Sequence, residues 1–339
     1  MEALTIKVVY KPWSKRKKIV DDIVCNYDWH FSVNRIIYDA HRDKGFTSFI
    51  IEGELGAGKS VYAMKTLIEQ FAIWKVYKEN SIVEHREVRN VLRKILVEED
   101  YDLCIEAWDY VKRRLCHTVR EYCQIIEELY EEEKRKREKN ELIIGHTVIW
   151  DDAGLSLNAS LWHVKGGRVY LTLISSLLQV TRTYIRSILF TLPSKKIFGK
   201  AVWSIQPNLI QILKMHYPWS RARIYLVFEH PTKPVNYAMK YAEDYFIRHL
   251  PDTIYEKYDR IRERYAKVSH KALIDNIRFL QEKLQEGGYT YLQAYENAVE
   301  ELEYLKETIE GEEEEIIFLE AKGEKKNIKK TRRKIEFFP

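Results

Sequence analysis

Residues 47–64 read TSFIIEGELGAGKSVYAM and decide the fold of this 339-residue chain. The first seven of them form a short apolar run that is rich in β-branched residues, and such a run indicates a buried β-strand. From Lys59 onward apolar residues recur at spacings of three and four, which is typical of a helix. A strand, a glycine-containing turn and a helix in direct succession predict the first unit of an α/β fold.

The turn between this strand and this helix has the composition of a phosphate-binding loop. It reads GELGAGKS over residues 53–60 and fits the pattern G-x-x-x-x-G-K-[ST]. Glycines let several backbone N–H groups converge on one anion, and the following helix adds the positive end of its dipole. We predict that the loop binds ATP with Mg²⁺ through Gly53, Glu54, Leu55, Gly56, Ala57, Gly58, Lys59, Ser60 and Val61.

Two side chains of the loop have defined roles in this prediction. The Lys59 ammonium contacts the β- and γ-phosphates in loops of this kind, and the Ser60 hydroxyl binds the magnesium ion. Two alternatives stay open at the level of the sequence. One is a glycine turn that binds no ligand, and the other is a loop that binds the nucleotide without hydrolysing it.

A second apolar stretch, HTVIWDD over residues 146–152, ends in two acids. It predicts a strand over 147–151, whose end supplies the carboxylate that a phosphate-loop hydrolase needs beside its magnesium ion. By position, Asp151 is the acid on the magnesium side, and Asp152 orients or deprotonates the attacking water. The alternative is an ordinary strand that happens to end in two aspartates.

Thr191 lies near the end of a further apolar stretch, RSILFTLPS over residues 186–194. A polar side chain at that position is able to hydrogen-bond the γ-phosphate or the attacking water. The alternative is a threonine that merely precedes the break at Pro193.

Arginines near the predicted strands are candidates for stabilising the charge that hydrolysis builds on the γ-phosphate. Arg182 is the preferred candidate, and Arg186, Arg221 and Arg223 are the others. For each of them the alternative is a position on a solvent-exposed face or in a structural ion pair.

The succession of elements predicts a three-layer α/β core with a mainly parallel sheet. Strands are predicted over 4–10, 47–53, 147–151, 186–194 and 222–230. Helices are predicted over 28–44, from Lys59 onward, and over 84–140, 168–183, 196–215 and 235–309, with no strand between the loop helix and residue 142. The predicted domains are an N-terminal extension (1–45), a core (46–250) with a helical insertion at 84–140, a C-terminal helical region (251–310) and a charged, disordered tail (311–339).

The net charge of +5 is small but unevenly distributed. Basic residues cluster at 15–18 and again between 322 and 334, and these two ends either contact DNA or are solvated tails. The four cysteines show no CxxC spacing, which argues against zinc and favours reduced thiols in a cytoplasmic protein. No apolar run reaches the roughly 18 residues that a membrane span requires.

With the loop, the acidic pair and the sensor strand taken together, the chain resembles the ASCE branch of phosphate-loop ATPases. In that branch an additional strand separates the loop strand from the acidic strand. More narrowly, TVIWDDAGL (147–155), TRTYIRSILFTLPSKK (181–196) and LPDTIYEKYDRIRERY (250–265) look like ATPases carried by archaeal viruses and plasmids, which are similar to FtsK/HerA-type and Zot-like motors. The resemblance spans about residues 45–265 and implies a homo-oligomer, with a ring as one form.

Three functions are compatible with the sequence. The first is an ATP-hydrolysing motor or assembly factor that acts on the DNA of a mobile genetic element. The second is an ATP-dependent switch or scaffold that presents its helical region to a protein partner. The third is a small-molecule kinase, against which the acidic pair followed by a sensor strand argues.

Overall fold

The structure is a computed structural model of the chain. It describes residues 29–42, 45–80, 83–138, 146–154, 157, 167–182, 185–194, 205–229 and 236–285. The chain divides into two compact units, Met1–Arg260 and Ile261–Pro339, and every strand of the described residues belongs to the first. The predicted strand at 4–10, both basic clusters and the charged tail at 311–339 lie outside the described residues.

Seven strands of the described residues form one sheet, in the order β2-β3-β4-β1-β5-β6-β7. Their bounds are β1 (Thr47–Gly53), β2 (Leu115–Cys116), β3 (His146–Trp150), β4 (Ile185–Leu192), β5 (Asn208–Lys214), β6 (Trp219–Glu229) and β7 (Asn236–Ile247). Strands β1 to β5 are parallel, whereas β6 and β7 extend the sheet in antiparallel fashion. The predicted α/β class with a mainly parallel sheet is confirmed.

Strand β4 lies between the strand that precedes the glycine loop and the strand that precedes the acidic pair. Its residue Leu189 pairs with Phe49 of β1 on one side and with Ile149 of β3 on the other. Because these strands run parallel, their carboxyl ends meet at one edge of the sheet. This strand order is the one that the resemblance to the ASCE branch implies.

Helices cover both faces of the parallel strands. Their bounds are α1 (Ser32–Arg42), α2 (Lys59–Asn80), α3 (His85–Leu96), α4 (Tyr101–Lys112), α5 (Val119–Glu138), α6 (Gly167–Thr181) and α7 (Asp252–Gln285). Helix α2 contacts β1, β3 and β4 and is itself covered by α3 and α4. Apolar residues of α5 and α6 pack with Trp150, Ile188 and Phe190 in one buried cluster. None of the helices in the described part of the chain is long and apolar enough to cross a bilayer.

Two buried carboxylates hold the start of α1 against the core. Glu69 of α2 accepts a hydrogen bond from the backbone N–H of His30 at 2.6 Å. Asp244 of β7 accepts from the hydroxyl of Ser32 at 2.6 Å and from the Tyr62 hydroxyl at 2.6 Å. Negative charge at a helix N-terminus is favourable, so these contacts stabilise α1 and tie β7 to α2.

The helical character predicted for 84–140 is confirmed for most of the segment, but the prediction that no strand lies between the loop helix and residue 142 is wrong. The structure has three helices there, and Leu115 and Cys116 form strand β2, in which Leu115 pairs with Ile149 of β3. A strand of two residues is too short to produce an alternating pattern, so only its tertiary pairing defines it. The strand matters for the site described below, because the carbonyl of Cys116 accepts a hydrogen bond from the N–H of Asp151 at 2.8 Å.

Two further helix predictions are wrong in part. The helix over 196–215 fails for residues 208–214, and the helix over 235–309 fails for residues 236–247, whereas Asp252–Gln285 is helical as predicted. Residues 208–214 form the parallel strand β5, and residues 236–247 form the edge strand β7. The sequence of β7, NYAMKYAEDYFI, contains Ala, Met, Lys and Glu, which favour helices in isolation. Pairing with β6 along its whole length overrides that preference. Residues 286–309, also predicted to be helical, lie outside the described residues.

Candidate functional site

The loop between β1 and α2 has a backbone that requires glycine at two positions. Gly56 has φ +70° and Gly58 has φ +94°, and both values lie in the left-handed region that other residues rarely adopt. The N–H of Ala57 donates to the carbonyl of Glu54 at 3.1 Å, which closes a turn. The N–H of Tyr62 donates to the carbonyl of Gly58 at 2.9 Å and starts α2. The strand–loop–helix prediction is confirmed, with the strand over Thr47–Gly53 and the helix from Lys59.

Gly53 is packed so closely against β5 that we expect a side chain there to be costly. A Cβ atom at Gly53 would lie 2.5 Å from the carbonyl oxygen of Ile212. We predict that Gly53→Ala lowers the free energy of unfolding by about 3 kcal/mol, since a backbone clash must be relieved. The matched control is Gly56→Ala, where a Cβ would meet nothing within 4 Å and only the left-handed φ costs about 1 kcal/mol. Urea denaturation of both variants measures the difference, and equal losses would contradict the prediction.

The Lys59 side chain folds back over the loop. Its Nζ atom donates to the carbonyl oxygens of Gly53 at 3.0 Å and Glu54 at 3.1 Å. The side chain is half-buried, so its ammonium group stays at the loop. The positive charge is thereby placed beside the backbone that the sequence predicts to bind phosphate.

Asp151 is the centre of a buried polar cluster at the carboxyl edge of the sheet. Its Oδ1 atom accepts hydrogen bonds from the Ser60 hydroxyl at 2.7 Å and the Thr191 hydroxyl at 2.5 Å. Its Oδ2 atom accepts from the Tyr258 hydroxyl at 2.7 Å. Asp151 and Thr191 are fully buried, and these hydroxyls offset the cost of taking a carboxylate out of water. The structure therefore brings Ser60, Asp151 and Thr191 together, as the sequence predicts.

Asp152 has an unusual backbone conformation that orients the end of β3. Its φ is +49°, in the left-handed region, where a residue other than glycine costs roughly 1–2 kcal/mol. Thr191 holds this turn, because its hydroxyl accepts from the Asp152 N–H at 2.9 Å and its carbonyl accepts from the Ala153 N–H at 3.1 Å. Strained backbone of this kind is often found at functional sites. Thr191 thus holds the carboxylate of Asp151 and the backbone of Asp152.

Arg182 is exposed and lies at the opposite edge of the sheet from Asp151. It follows α6 and precedes β4, which begins at Ile185, whereas Thr191 lies near the other end of that strand. Between Ile185 and Thr191 the strand rises about 20 Å. The structure does not bring Arg182, or Arg186 at the same edge, to the acidic pair within one chain.

The other two candidate arginines are held in ion pairs on the surface of the sheet. Arg223 pairs with Glu243 at 2.9 Å, and Arg221 lies 3.9 Å from the same carboxylate. A hydrogen bond from Lys240, together with that from Arg223, lowers the pKa of Glu243 to about 2. These arginines match the structural alternative stated for them.

Two residues that the sequence reasoning missed lie at the site. Tyr258 of α7 is buried and donates to Asp151, and Arg248, which follows β7, has Nη1 3.5 Å from the carbonyl oxygen of Gly56. Tyr258 lies within the segment 250–265 that contributes to the resemblance. It was missed because its place in a helical pattern does not show that its hydroxyl contacts Asp151. The position of Arg248 at the end of a strand was not predicted, because the residues before it were predicted to be helical.

The donor atoms at the cluster suit a hard cation such as Mg²⁺. The Ser60 hydroxyl and the Asp151 carboxylate offer oxygen ligands 2.7 Å apart, and Mg²⁺ is usually held by one or two carboxylates together with substrate phosphates. Within the described ranges there is no group of three or more His, Cys, Asp or Glu that would form an all-protein metal site.

Cys104, Cys116 and Cys123 are free thiols, whereas Cys25 lies outside the described residues.

Comparison with known proteins finds a distant viral relative. No protein-family model matches the chain. The chain is 23% identical over 261 residues to the uncharacterized protein ORF286 of Acidianus two-tailed virus, a match that covers 70% of this chain and 76% of the viral protein.

Proposed function

We propose that this protein binds ATP with Mg²⁺ at residues 53–61 and hydrolyses it, as an ATPase of the ASCE branch of phosphate-loop proteins. The observation that carries the proposal is the cluster in which Asp151 accepts hydrogen bonds from both Ser60 and Thr191. In this cluster the glycine loop, the acidic strand and the intervening strand contribute one side chain each. A chance glycine turn has no reason to place its serine on a buried carboxylate from another strand.

In the proposed site the loop binds and orients the triphosphate. Its backbone N–H groups and the start of α2 bind the phosphates, while Lys59 exchanges its two carbonyl partners for β- and γ-phosphate oxygens. Ser60 and Asp151 would hold the Mg²⁺, which would neutralise charge on the phosphates. The orientation of Ser60 is already set by its hydrogen bond to Asp151.

The second acid acts on the attacking water, and the threonine holds that acid in position. The carboxylate of Asp152 accepts the proton that the water loses as its oxygen attacks the γ-phosphorus, and the bond from phosphorus to the β–γ bridging oxygen breaks. The Thr191 hydroxyl holds the Asp152 turn in place through the backbone N–H. The difference in burial supports this division of roles, since Asp151 is buried under three hydroxyls whereas Asp152 is half-buried.

The wider role that we propose is a DNA-linked motor or assembly ATPase of a mobile genetic element. The viral source of its relative supports this context, and the resemblance to virus- and plasmid-encoded ATPases supports the activity. In a ring, the exposed Arg182 of one subunit would be available to a neighbour's site. The alternative, a nucleotide-dependent switch, is favoured by the Tyr258 contact, because that hydroxyl connects α7 directly to the proposed magnesium acid.

Phosphate release by the purified full chain tests the proposal. We expect ATP hydrolysis that requires Mg²⁺, stops on chelation with EDTA and increases with single- or double-stranded DNA, together with nucleotide-dependent oligomers in light scattering. Magnesium-dependent ATP binding without measurable turnover, in calorimetry, would favour the switch instead. Absence of ATP binding with and without Mg²⁺ would contradict both functions.

A further inference from the structure

The turn between β5 and β6 presents an exposed aromatic ring beside the glycine loop. Tyr217 is 77% exposed, although a tyrosine ring gains stability when it is covered. The guanidinium carbon of Arg248 lies 5.5 Å from the centre of the Tyr217 ring. The same arginine reaches the carbonyl oxygen of Gly56, so one side chain contacts both the ring and the loop.

Arg248 is held in place from several directions but has no acidic partner within the described residues. Its backbone N–H donates to the carbonyl of Pro218 at 2.8 Å, in the turn that carries Tyr217. Its Cγ atom lies 3.0 Å from where a Cβ would stand at Gly58, so its stem packs on the loop. Its Nε atom is buried without a hydrogen-bond partner. Arg248 therefore joins the β5–β6 turn to the glycine loop.

The sheet order gives the direction in which a nucleotide would lie. Asp151 and Thr191 belong to strands on one side of β1, whereas Tyr217 and Arg248 belong to the β5–β6 turn and the end of β7 on the other side. Ser60 and Asp151 would hold the magnesium ion, and in sites of this kind the ion neutralises charge on the terminal phosphates. The terminal phosphates then lie toward β4, and the nucleoside extends toward β5 and β7.

We propose that Tyr217 is the stacking platform for the purine base of the bound nucleotide, and that Arg248 is a positioning residue that holds this ring at the loop. This inference rests on the proposed function and adds the nucleoside half of the site. Purine bases stack on exposed tyrosine rings without specific hydrogen bonds, and a guanidinium on the ring fixes its orientation.

Equilibrium binding of MgATP and of magnesium tripolyphosphate to the full chain tests the proposal. Tripolyphosphate carries the phosphates without base or ribose, so Tyr217→Ala is expected to weaken ATP binding about tenfold while tripolyphosphate affinity changes less than about twofold. Tyr217→Phe keeps the ring and is expected to bind ATP like the wild type. Tyr101→Ala, at an exposed tyrosine on α4, is the matched control and is expected to leave both affinities unchanged.

The positioning role of Arg248 is tested by combining its substitution with that of Tyr217. Arg248→Ala is expected to weaken ATP binding several-fold in the wild type and by clearly less in the Tyr217→Ala background, because the part of its effect that passes through the ring is already lost there. Unchanged ATP affinity in Tyr217→Ala, or an equal loss for tripolyphosphate, would overturn the inference while leaving the proposed function intact. If the wild type bound neither MgATP nor magnesium tripolyphosphate, the proposed function would be contradicted instead.

Discussion

Lys59→Ala is expected to reduce MgATP hydrolysis at least about 100-fold and to weaken ATP binding. The Lys59 ammonium is the positively charged group of the loop, and it hydrogen-bonds the carbonyls of Gly53 and Glu54. Removing one preorganised donor to the charge that develops in a transition state typically costs about 10²–10³ in rate. The measurement is steady-state phosphate release with saturating Mg²⁺, accompanied by ATP titration in a calorimeter.

The control for this prediction is Lys94→Ala, which removes an exposed lysine from α3 and is expected to retain wild-type turnover. Lys59→Ala should also keep a melting temperature close to the wild-type value, because the carbonyls that lose their partner lie at a solvent-accessible loop and rebind water. Wild-type turnover in the Lys59→Ala protein would show that the loop is not the hydrolytic site. A loss of folding would be visible in the melting curve.

The part of the site that could be predicted from sequence is the part formed by local patterns. The loop and its flanking elements are contiguous, so spacing alone identifies Gly53–Ser60. Asp151 and Thr191 end apolar stretches, and the carboxyl ends of parallel strands meet at one edge. Their meeting at Ser60 follows from that rule together with strand order.

The contacts that were missed join residues far apart in the chain. Tyr258 reaches Asp151 across 107 residues, and Arg248 reaches Gly56 across 192. Neither contact follows from a periodic pattern, because each depends on where the sheet ends and on which helix returns to it. Arg182 is close in sequence to β4 but precedes it, so it lies at the opposite end of that strand from Thr191.

The misread elements have a common physical cause. In β5, the apolar residues Leu209, Ile210 and Ile212 fit a helical stripe as well as a strand, so periodicity does not separate the two. In β7, one face is exposed and carries Met239, Tyr241 and Tyr245, whereas Asp244 and Phe246 are buried. Pairing with β6 makes this segment a strand, and such pairing between distant segments cannot be derived from the local sequence pattern.

Asparagine substitutions at the two adjacent acids are expected to have different effects, and the difference tests their roles. Asp152→Asn is expected to lower turnover about 10²–10⁴-fold, because an amide does not accept the proton of the attacking water. ATP affinity should stay within about threefold of the wild type. Asparagine tolerates the left-handed φ of +49° at this position, so the backbone turn held by Thr191 is preserved.

Asp151→Asn is expected to damage both folding and metal-dependent binding. The carboxylate accepts from three hydroxyls, of Ser60, Thr191 and Tyr258, whereas the amide nitrogen of asparagine accepts none. At least one buried hydroxyl then loses its acceptor, which costs about 1–3 kcal/mol in unfolding free energy. The stimulation of ATP binding by Mg²⁺ should fall in Asp151→Asn and persist in Asp152→Asn. If instead Asp152→Asn lost the magnesium effect while Asp151→Asn kept it, the roles assigned to the two acids would have to be exchanged. The measured contrast therefore assigns the metal acid and the base independently of any resemblance.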